Sequence, residues 1–594
     1  MKKLILLCLF SILFNSQAFG ATYTVKTSGG DYSAPGTCAN AVSAGDICEV
    51  YNGTYSGWTQ TTSGTAGNFI TIRAAAGQSP ALSSSIALTA DYIVIQGFAV
   101  TGGGITTGST YSGAAHSNLQ VVDNTFTGSG GSGIALSMKG DDILISGNSF
   151  SNWGNDIVRQ FGIRWTIRNN TAIGMTASGA EHMDFWQSFC SGPTVDIKSA
   201  QYGLIENNVF INITGNGNEH FALVNGTSTC AIPPIGMIFR YNKVHSIGSL
   251  GVYIDANQQA SGTTRNVVYN NTFSYLSEGT FTWEDASCAL NASTNSSAIN
   301  NLHDTAMKTS GARGFYFSTG GAQSYNLYYS ASGTMTFSGG ASNEVGAVKN
   351  QNPLLIDPLN NNFSLQAGSP AIDTGGPLTT VAAADTGSGT SLIVGKAEFF
   401  QPGWGGASAD WIAVGSIGNT AQISSIDYST NTITLAAGIS RNDGDSVWLY
   451  KKSDGVQVLL GAAPDIGAEE YSGGPIVSGL LPSGSQGCTS DPRNVTLQAT
   501  TNENATCRYH ATATTWAGMS EMSTTGTTSH SQVVSLACNA SYSHNILCQD
   551  AVPNESTMGE WSFNIAASVS GTVMTIGPGG SIGLGTGGSF VINP

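Results

Sequence analysis

At 594 residues the chain is too long for one ordinary globular core, although a solenoid can lengthen without widening its cross-section. It carries 37 acidic against 21 basic residues, a net charge of −16, and only 10% of its residues are charged. This balance argues against nucleic acid as a partner, because phosphate binding needs a basic surface, and an acidic polysaccharide would need a local cation or a bound metal.

Residues 1–20 have the form of a secretory signal peptide, with a basic start at Lys2 and Lys3, an apolar run and small residues at Ala18 and Gly20. No later stretch has ~18 uninterrupted apolar residues, so no membrane span is predicted. We therefore expect an exported protein, secreted or on the cell surface, that acts as a monomer. Ten cysteines, one of them Cys8 in the signal, leave an odd number in an oxidising compartment, so at least one stays unpaired.

Residues 21–377 are predicted to form a right-handed parallel β-helix. Three early strands lie within 44–57, 68–73 and 92–98, and Phe98 takes the place that an asparagine holds in later coils. From there a phrase of two apolar residues spaced by one and followed by Asn returns about every 22–38 residues. The copies end at Asn148, Asn170, Asn208, Asn242, Asn271 and Asn301, with Asn124 and Asn326 as outlying copies. Stacked coils hide the apolar residues and let the Asn amides hydrogen-bond from coil to coil.

The pattern changes after the solenoid. Short alternating strands predict a β module inserted at 378–460, followed by a closing β-helix phrase at 461–472. The segment 473–568 has the length and alternation of a β-sandwich, and a Gly/Ser-rich tail occupies 569–594.

Cysteine spacing predicts the disulfides. We expect Cys38–Cys48 and Cys190–Cys230, with Cys288 free. The four cysteines in the 473–568 segment allow three connectivities, of which Cys488–Cys538 with Cys507–Cys548 is favoured.

The phrase at 44–57, the strands at 68–73 and 92–98 and the Asn-marked coils resemble the secreted right-handed β-helix superfamily. This superfamily includes pectate lyases, relatives of chondroitinase B and of alginate lyases, mannuronan epimerases and polygalacturonases. The phrases at 357–375 and 463–471 are similar to the closing coils of exported bacterial β-helix proteins, and the 473–568 segment looks like an Ig-like accessory module. The resemblance implies the fold rather than the activity. The Asn-Thr-Asp and Gly-His-Gly phrases of polygalacturonases are absent from this sequence.

In that superfamily the strand after the long loop of each coil usually builds the cleft. Stacking those strands with period two places Met183, Phe185 and their equivalents inward and a polar strip outward. The predicted columns put His182 above His220, Asp184 with Tyr253, and Trp186 with Asp255 and Glu284. The predicted site consists of Arg159, His182, Asp184, Trp186, His220, Tyr253, Asp255 and Glu284.

Each of these residues can be interpreted either as part of a functional site or as an ordinary structural or surface residue. Asp255 and Glu284, about 5 Å apart in adjacent coils, could hold calcium with Asp184, or act as the carboxylate pair of a retaining glycosidase, or form a solvated acidic ladder.

His182 and His220 are candidate bases with Tyr253 as the acid, or ordinary surface side chains. Trp186 is a sugar platform unless a neighbouring loop covers it. Arg159 could pair with a substrate carboxylate or with Asp184 or Glu181.

These features favour a lyase that cleaves a uronate-containing polysaccharide by β-elimination. A glycoside hydrolase on the same scaffold is the first alternative. A non-catalytic surface or adhesion protein, with the solenoid as a spacer, is the second.

Overall fold

The structure is a computed structural model. It describes residues 20–107, 114–178, 182–190, 200–215, 219–226, 235–247, 251–255, 265–274, 286–291, 296–304, 313–317, 322–330, 344–366, 368–383, 385–471, 473–475, 477–549, 555–556 and 558–566. The predicted signal peptide and the predicted Gly/Ser-rich tail fall outside these residues, apart from Gly20.

Within the described residues, three long sheets of parallel strands stack coil on coil. Sheet I contains, in order, Thr22–Val25, Ile47–Val50, Ile70–Ala74, Ile93–Gln96, Leu119–Val122, Leu144–Ser146, Thr166–Arg168, Leu204–Glu206, Ile238–Arg240, Val267–Tyr269, Ser297–Ile299 and Ala322–Ser324. Sheet II contains Thr54–Tyr55, Ala81–Leu82, Ala99–Thr101, Thr125–Thr127, Ser149–Ser151, Thr171–Thr176, Val209–Thr214, Lys243–His245, Thr272–Ser274, Leu302–Asp304, Leu327–Tyr329 and Val348–Lys349. Sheet III contains Thr59–Gln60, Ile86–Leu88, Ile105–Thr106, Leu136–Lys139, Val158–Phe161, Asp184–Cys190, His220–Gly226, Val252–Asp255, Ala286–Asn291 and Arg313–Phe317.

Each coil passes through sheets I, II and III in turn, so the predicted parallel β-helix is confirmed. The helix Pro35–Ala41 lies in the first coils, before the strand Ile47–Val50. Inward side chains form one continuous core, in which like residues stack across coils. Phe185 and Phe221, for example, have ring centroids 5.2 Å apart at an interplanar angle of 8°.

The predicted Asn stack lies at the turn between sheets I and II. Each Asn amide donates to the Oδ1 of the next Asn at 2.9–3.1 Å, from Asn124 through to Asn326. The residue before each ladder Asn has a positive φ, as at Asn207 (52°) and Tyr241 (56°), which produces the bend. The ladder ends where the backbone N–H of Phe98 donates to Asn124 and where Asn326 donates to Glu344. Phe98 therefore occupies, one coil before Asn124, the position that an asparagine holds in the later coils, as predicted.

We expect Asn208→Leu to lower the free energy of unfolding by several kcal/mol. Asn208 is fully buried, and its Oδ1 accepts both the amide and the backbone N–H of Asn170. Each buried group left without a partner costs ~1–3 kcal/mol. Urea denaturation measures the change, with Asn494→Leu on an exposed strand position as the control. Equal stability of the two variants would contradict a structural role for the ladder.

Two smaller elements follow the solenoid. A two-stranded sheet pairs Leu355–Asp357 with Asn362–Leu365 around the 3-10 turn Pro358–Asn360. The second is a six-stranded antiparallel sheet of Thr379–Thr380, Gly387–Ile393, Trp411–Val414, Ser416–Asp427, Thr432–Arg441 and Ser446–Lys451. This inserted sheet occupies the region predicted as an inserted module.

The inserted sheet packs on the outer side of sheet I. Its apolar residues share one buried cluster with Leu204, Ile238 and Tyr269 of the solenoid. At the centre of this contact the guanidinium of Arg240 is fully buried between Glu206 and Asp410. The insertion is therefore part of the same compact unit, which extends to Tyr471.

Residues from Ser472 onward form a second compact unit. It contains Val477–Leu481, Gly484–Gln486, Arg493–His510, Ser520–Glu521, Thr527–Leu536, Ala540–Gln549 and Gly559–Ile565, with the 3-10 turn Trp516–Gly518. Most pairings are antiparallel, around a core that includes Leu497, Ile546 and Trp561. Its relation to Ig-like domains stays a prediction.

Three predicted disulfides are confirmed: Cys38–Cys48, Cys488–Cys538 and Cys507–Cys548. They suit an oxidising compartment. The predicted Cys190–Cys230 bridge and the free Cys288 depend on side chains outside the described set. Among the described residues, no helix is long and apolar enough to cross a membrane.

Candidate active site on sheet III

Four neighbouring strands of sheet III carry the candidate site: Val158–Phe161, Asp184–Cys190, His220–Gly226 and Val252–Asp255. Their register places Val158, Trp186, Ala222 and Val252 in one inward column. The next residue of each strand forms the outward column, which consists of Arg159, Gln187, Leu223 and Tyr253. At the start of the strands, where the chain turns from sheet II, Asp184 is the partner of His220.

Two carboxylates on adjacent coils form the base of the site. Asp156 and Asp184 are both 0% exposed. The backbone N–H of Asp184 donates to Oδ1 of Asp156 at 3.1 Å, so the two residues lie directly beside one another. Buried like charges at this spacing need cationic partners.

Those partners surround the pair. The Nε of Arg159 donates to Oδ2 of Asp156 at 2.6 Å. Asp184 contacts the Nδ1 atoms of both histidines, that of His182 at 2.8 Å and that of His220 at 3.0 Å. It also accepts a hydrogen bond from the Gln187 amide at 3.1 Å. A carboxylate held by two imidazoles through Nδ1 leaves both Nε2 atoms to face other groups.

The charged groups of this cluster shift one another's pKa values. Burial and the negative charge of Asp184 raise the pKa of Asp156 to about 7. The contact with Asp184 raises the pKa of His182 to about 9, although burial opposes it. Burial alone would raise the pKa of Asp184, but its contacts with the imidazoles of His182 and His220 outweigh burial and hold that pKa below the usual value. At neutral pH, His182 is therefore an imidazolium beside an ionised Asp184.

We expect the free energy of unfolding to fall as pH rises from 7 to 9. The folded pKa of His182, about 9, lies above the unfolded value of ~6.5, so its contribution is complete below pH ~6.5 and is lost as pH rises through 9. Urea denaturation at both pH values measures the effect. The dependence should be flatter in His182→Gln, and identical slopes in the two proteins would contradict the assigned charge state.

Exposure divides the cluster into an accessible and an inaccessible layer. The side chain of His182 is 31% exposed, that of Arg159 16% and that of His220 7%, whereas both carboxylates are inaccessible. Tyr253 is half-buried, with its ring centroid 6.2 Å from that of His220 at an angle of 28°. A ligand on this face would meet the imidazoles, the guanidinium and the phenol, not the carboxylates.

The structure brings together five of the predicted site residues: Arg159, His182, Asp184, His220 and Tyr253. The predicted columns, however, are wrong. Asp184, not His182, is the partner of His220, and Tyr253 shares its column with Leu223 and Gln187 rather than with Asp184. The reason is that the coils differ in length, so stacking by strand number alone misaligns the register.

Trp186 was predicted to be an exposed sugar platform, and this is wrong. Its side chain is 0% exposed in the core, and its indole N–H donates to Gln160 at 2.9 Å. Phe185 beside it is also fully buried, with its ring packed near those of Phe210 and Phe221, so strict alternation does not hold at this point of the strand.

The predicted pairing of Asp255 with Glu284 is also wrong. The residue beside Asp255 on the following coil is Asn291, because the next strand of sheet III runs over Ala286–Asn291. Glu284 lies outside the described residues. On the preceding coil, the register partner of Asp255 is Asn225. This position lies later along the strands than the position shared by Asp184 and His220.

Two residues of the cluster were missed from the sequence. Asp156 precedes Arg159 by three residues, just before the strand Val158–Phe161, and this short spacing of an acidic and a basic residue was the available signal. Gln187 follows the core residue Trp186 and reaches back to Asp184. Arg159 pairs with Asp156, a partner that was not predicted, whereas Glu181, one of its two predicted partners, lies outside the described residues.

Asp156, His182 and Asp184 form a group that could hold a metal ion, with ligand atoms within 4.8 Å of one another. The donor set does not suit the predicted calcium. Calcium takes about 6–8 oxygen ligands, whereas one of these ligands is an imidazole nitrogen. The carboxylates also already accept contacts from Arg159, Gln187 and the histidines.

No family model and no curated protein matches this chain. Among solved structures it is similar to a PL6 family alginate lyase named AlyGC, at 15% identity and a TM-score of 0.30, over 56% of this chain and 54% of that one. It is similar to a PL6 family polysaccharide lyase from Pseudopedobacter saltans at 14% identity and a TM-score of 0.27, over 59% of this chain and 97% of the other.

A mannuronic-acid-specific polysaccharide family 6 lyase from human gut microbiota matches at 12% identity and a TM-score of 0.23, over 55% of this chain and 82% of that one. This chain thus spans about half the length of the alginate lyase. At these values the likeness concerns the parallel β-helix, and the chemistry must be argued from the residues of this chain.

Proposed function

We propose that this protein is an exported polysaccharide lyase that cleaves a uronate-containing polymer by β-elimination. The observation that supports this best is the contact of Asp184 with the Nδ1 atoms of two histidines, at 2.8 and 3.0 Å, on an outward face that also holds Arg159 and Tyr253. This face carries a candidate base, a candidate acid and cationic groups.

His220 is the proposed base. When Nδ1 of His220 bonds to Asp184, the neutral ring keeps its proton on Nδ1 and presents the lone pair of Nε2. That nitrogen takes the proton from the carbon next to the uronate carboxylate, and the electron pair moves into the carboxylate to form an enolate. Asp184 then stabilises the imidazolium.

The enolate needs positive charge close to the substrate carboxylate. The imidazolium of His182 and the guanidinium of Arg159 supply it, and both are partly exposed beside His220. The bond between the neighbouring ring carbon and the glycosidic oxygen then breaks. Tyr253 donates its proton to the leaving oxygen, so the products are a saturated chain end and an unsaturated uronate.

A glycoside hydrolase would use a pair of carboxylates that touch the substrate. Asp156 and Asp184 are two neighbouring carboxylates, but neither has exposed surface with which to touch a substrate. This burial favours elimination over hydrolysis for the cluster on sheet III.

The test is incubation of the purified full-length protein with polyguluronate, polymannuronate, pectate, hyaluronan and the neutral polymer dextran. We expect at least one uronate polymer to yield new reducing ends together with the ultraviolet absorbance of the unsaturated uronate. New reducing ends without that absorbance would identify a hydrolase. Absence of both with every polymer would reject the lyase proposal and favour a binding or adhesion role.

A further inference from the structure

A cavity of about 210 Å³ lies in the contact between the solenoid and the inserted sheet. Tyr202, Gly236 and Arg265 contribute to its wall from three successive coils. Glu398, Trp404 and Tyr428 line it from the insertion. The cavity lies at the turn between sheets III and I, whereas the catalytic cluster lies at the turn from sheet II into sheet III.

The solenoid wall of the cavity consists of equivalent turn residues on successive coils, and the middle one is a glycine. Tyr202, Gly236 and Arg265 all have positive φ, at 51°, 67° and 50°, and they precede equivalent strands of sheet I. A Cβ on Gly236 would lie 2.8 Å from the ring of Tyr202. Glycine is therefore required here both by its backbone conformation and by the ring above it. The ring of Tyr202 lies over this glycine, and both residues line the cavity with Arg265.

The same column is closed two coils earlier. There Arg164 makes two hydrogen bonds to Asp142 on the preceding coil, at 2.8 and 2.7 Å. Arg265 instead donates to the backbone carbonyl of Tyr428 in the insertion. The arginine of this column is thus engaged with the preceding coil at Arg164 and with the insertion at Arg265.

The insertion contributes aromatic rings and a carboxylate. The ring of Tyr202 lies 5.8 Å from that of Trp404 and 5.8 Å from that of Tyr428. Glu398 is only 6% exposed, yet it lines the cavity. Burial raises its pKa, and the positive charges of Lys396 and Arg265 oppose that rise. Charges of both signs thus border the cavity beside an aromatic wall.

We propose that this cavity binds a single sugar unit, separately from the catalytic face. A sugar ring presents an apolar face that suits Tyr202, Trp404 and Tyr428, and hydroxyl groups that can donate to Glu398 and accept from Arg265. A lone ammonium ligand suits the site less well, because Arg265 would repel it. The cavity volume matches one ring rather than a chain, so the site would hold the end or a branch of a polymer.

The test is calorimetric titration of the full-length protein with the methyl glycosides of glucose, galactose and mannose and of their uronates. We expect saturable binding of at least one of them, and the comparison of neutral with acidic sugars identifies the class. Glu398→Gln and Arg265→Gln should each weaken that binding about tenfold or more, because each removes a charged hydrogen-bonding partner. The matched control Arg164→Gln changes the same turn column outside the cavity and should bind as the wild type does.

Hydrogen exchange of the wild-type protein gives a second measurement that does not depend on a variant folding. The bound sugar should slow exchange in the segments around 402–405 and 427–430. His220→Ala should keep the same affinity at this site. The proposal would be overturned if no sugar bound saturably or if both cavity variants kept the wild-type affinity. Protection from exchange confined to sheet III would also overturn it.

Discussion

His220→Ala and Tyr253→Phe should each lower the rate of polymer cleavage by about 10²–10⁴-fold, the usual effect of removing a general acid or base. His220 is held through Nδ1 by the buried Asp184, and Tyr253 lies beside it in the next coil. The first change removes the proton acceptor, and the second removes only the hydroxyl that protonates the leaving oxygen. Initial rates on the most active uronate polymer measure both.

Matched controls separate chemistry from folding. His116 pairs with Asp91 on an earlier coil, with Nδ1 and Oδ1 3.5 Å apart, and Tyr329 lies on a strand of sheet II. His116→Ala and Tyr329→Phe should therefore retain activity. Full activity in both His220→Ala and Tyr253→Phe, with intact thermal unfolding, would show that this face does not carry the chemistry.

Arg240→Met should lower the free energy of unfolding by ~3–5 kcal/mol, because it leaves two buried carboxylates without a counter-charge. Arg240 donates to Glu206 at 2.7 Å and makes two hydrogen bonds to Asp410, each 2.7 Å long. It also donates to the hydroxyl of Tyr269 at 2.8 Å. All four side chains are fully buried where the inserted sheet meets the solenoid.

Chemical denaturation measures this loss. Neutralising the carboxylates as well, in the triple variant with Glu206→Gln and Asp410→Asn, should recover part of it. Arg73→Met is the matched surface control, because Arg73 pairs with Glu49 at 3.2 Å but is 41% exposed, and such pairs contribute ~0–1 kcal/mol. A loss no larger than that of the surface control would contradict the role of Arg240 in holding the insertion.

The sequence by itself determined the repeating part of the molecule. The parallel β-helix and its ladder from Asn124 to Asn326 follow from a short sequence motif that recurs once per coil. In each copy the apolar residues fill the core and the Asn hydrogen-bonds to the next coil. The disulfide Cys38–Cys48 was expected from proximity in sequence, whereas Cys488–Cys538 with Cys507–Cys548 was the favoured one of three possible connectivities. The resemblance to the β-helix superfamily pointed to the strands, and alternation along them together with nearness to the patch selected Arg159, His182, Asp184, His220 and Tyr253 among the candidates.

Only the tertiary structure decided how those candidates meet. Register between coils depends on the length of each intervening loop, so His220 lies beside Asp184 and Asp255 lies beside Asn291. Burial depends on what other coils and modules cover, which placed Trp186 in the core and Arg240 between two carboxylates. The pairing of Asp156 with Asp184 has the same origin, because contacts between coils arise from stacking and leave no trace in local periodicity.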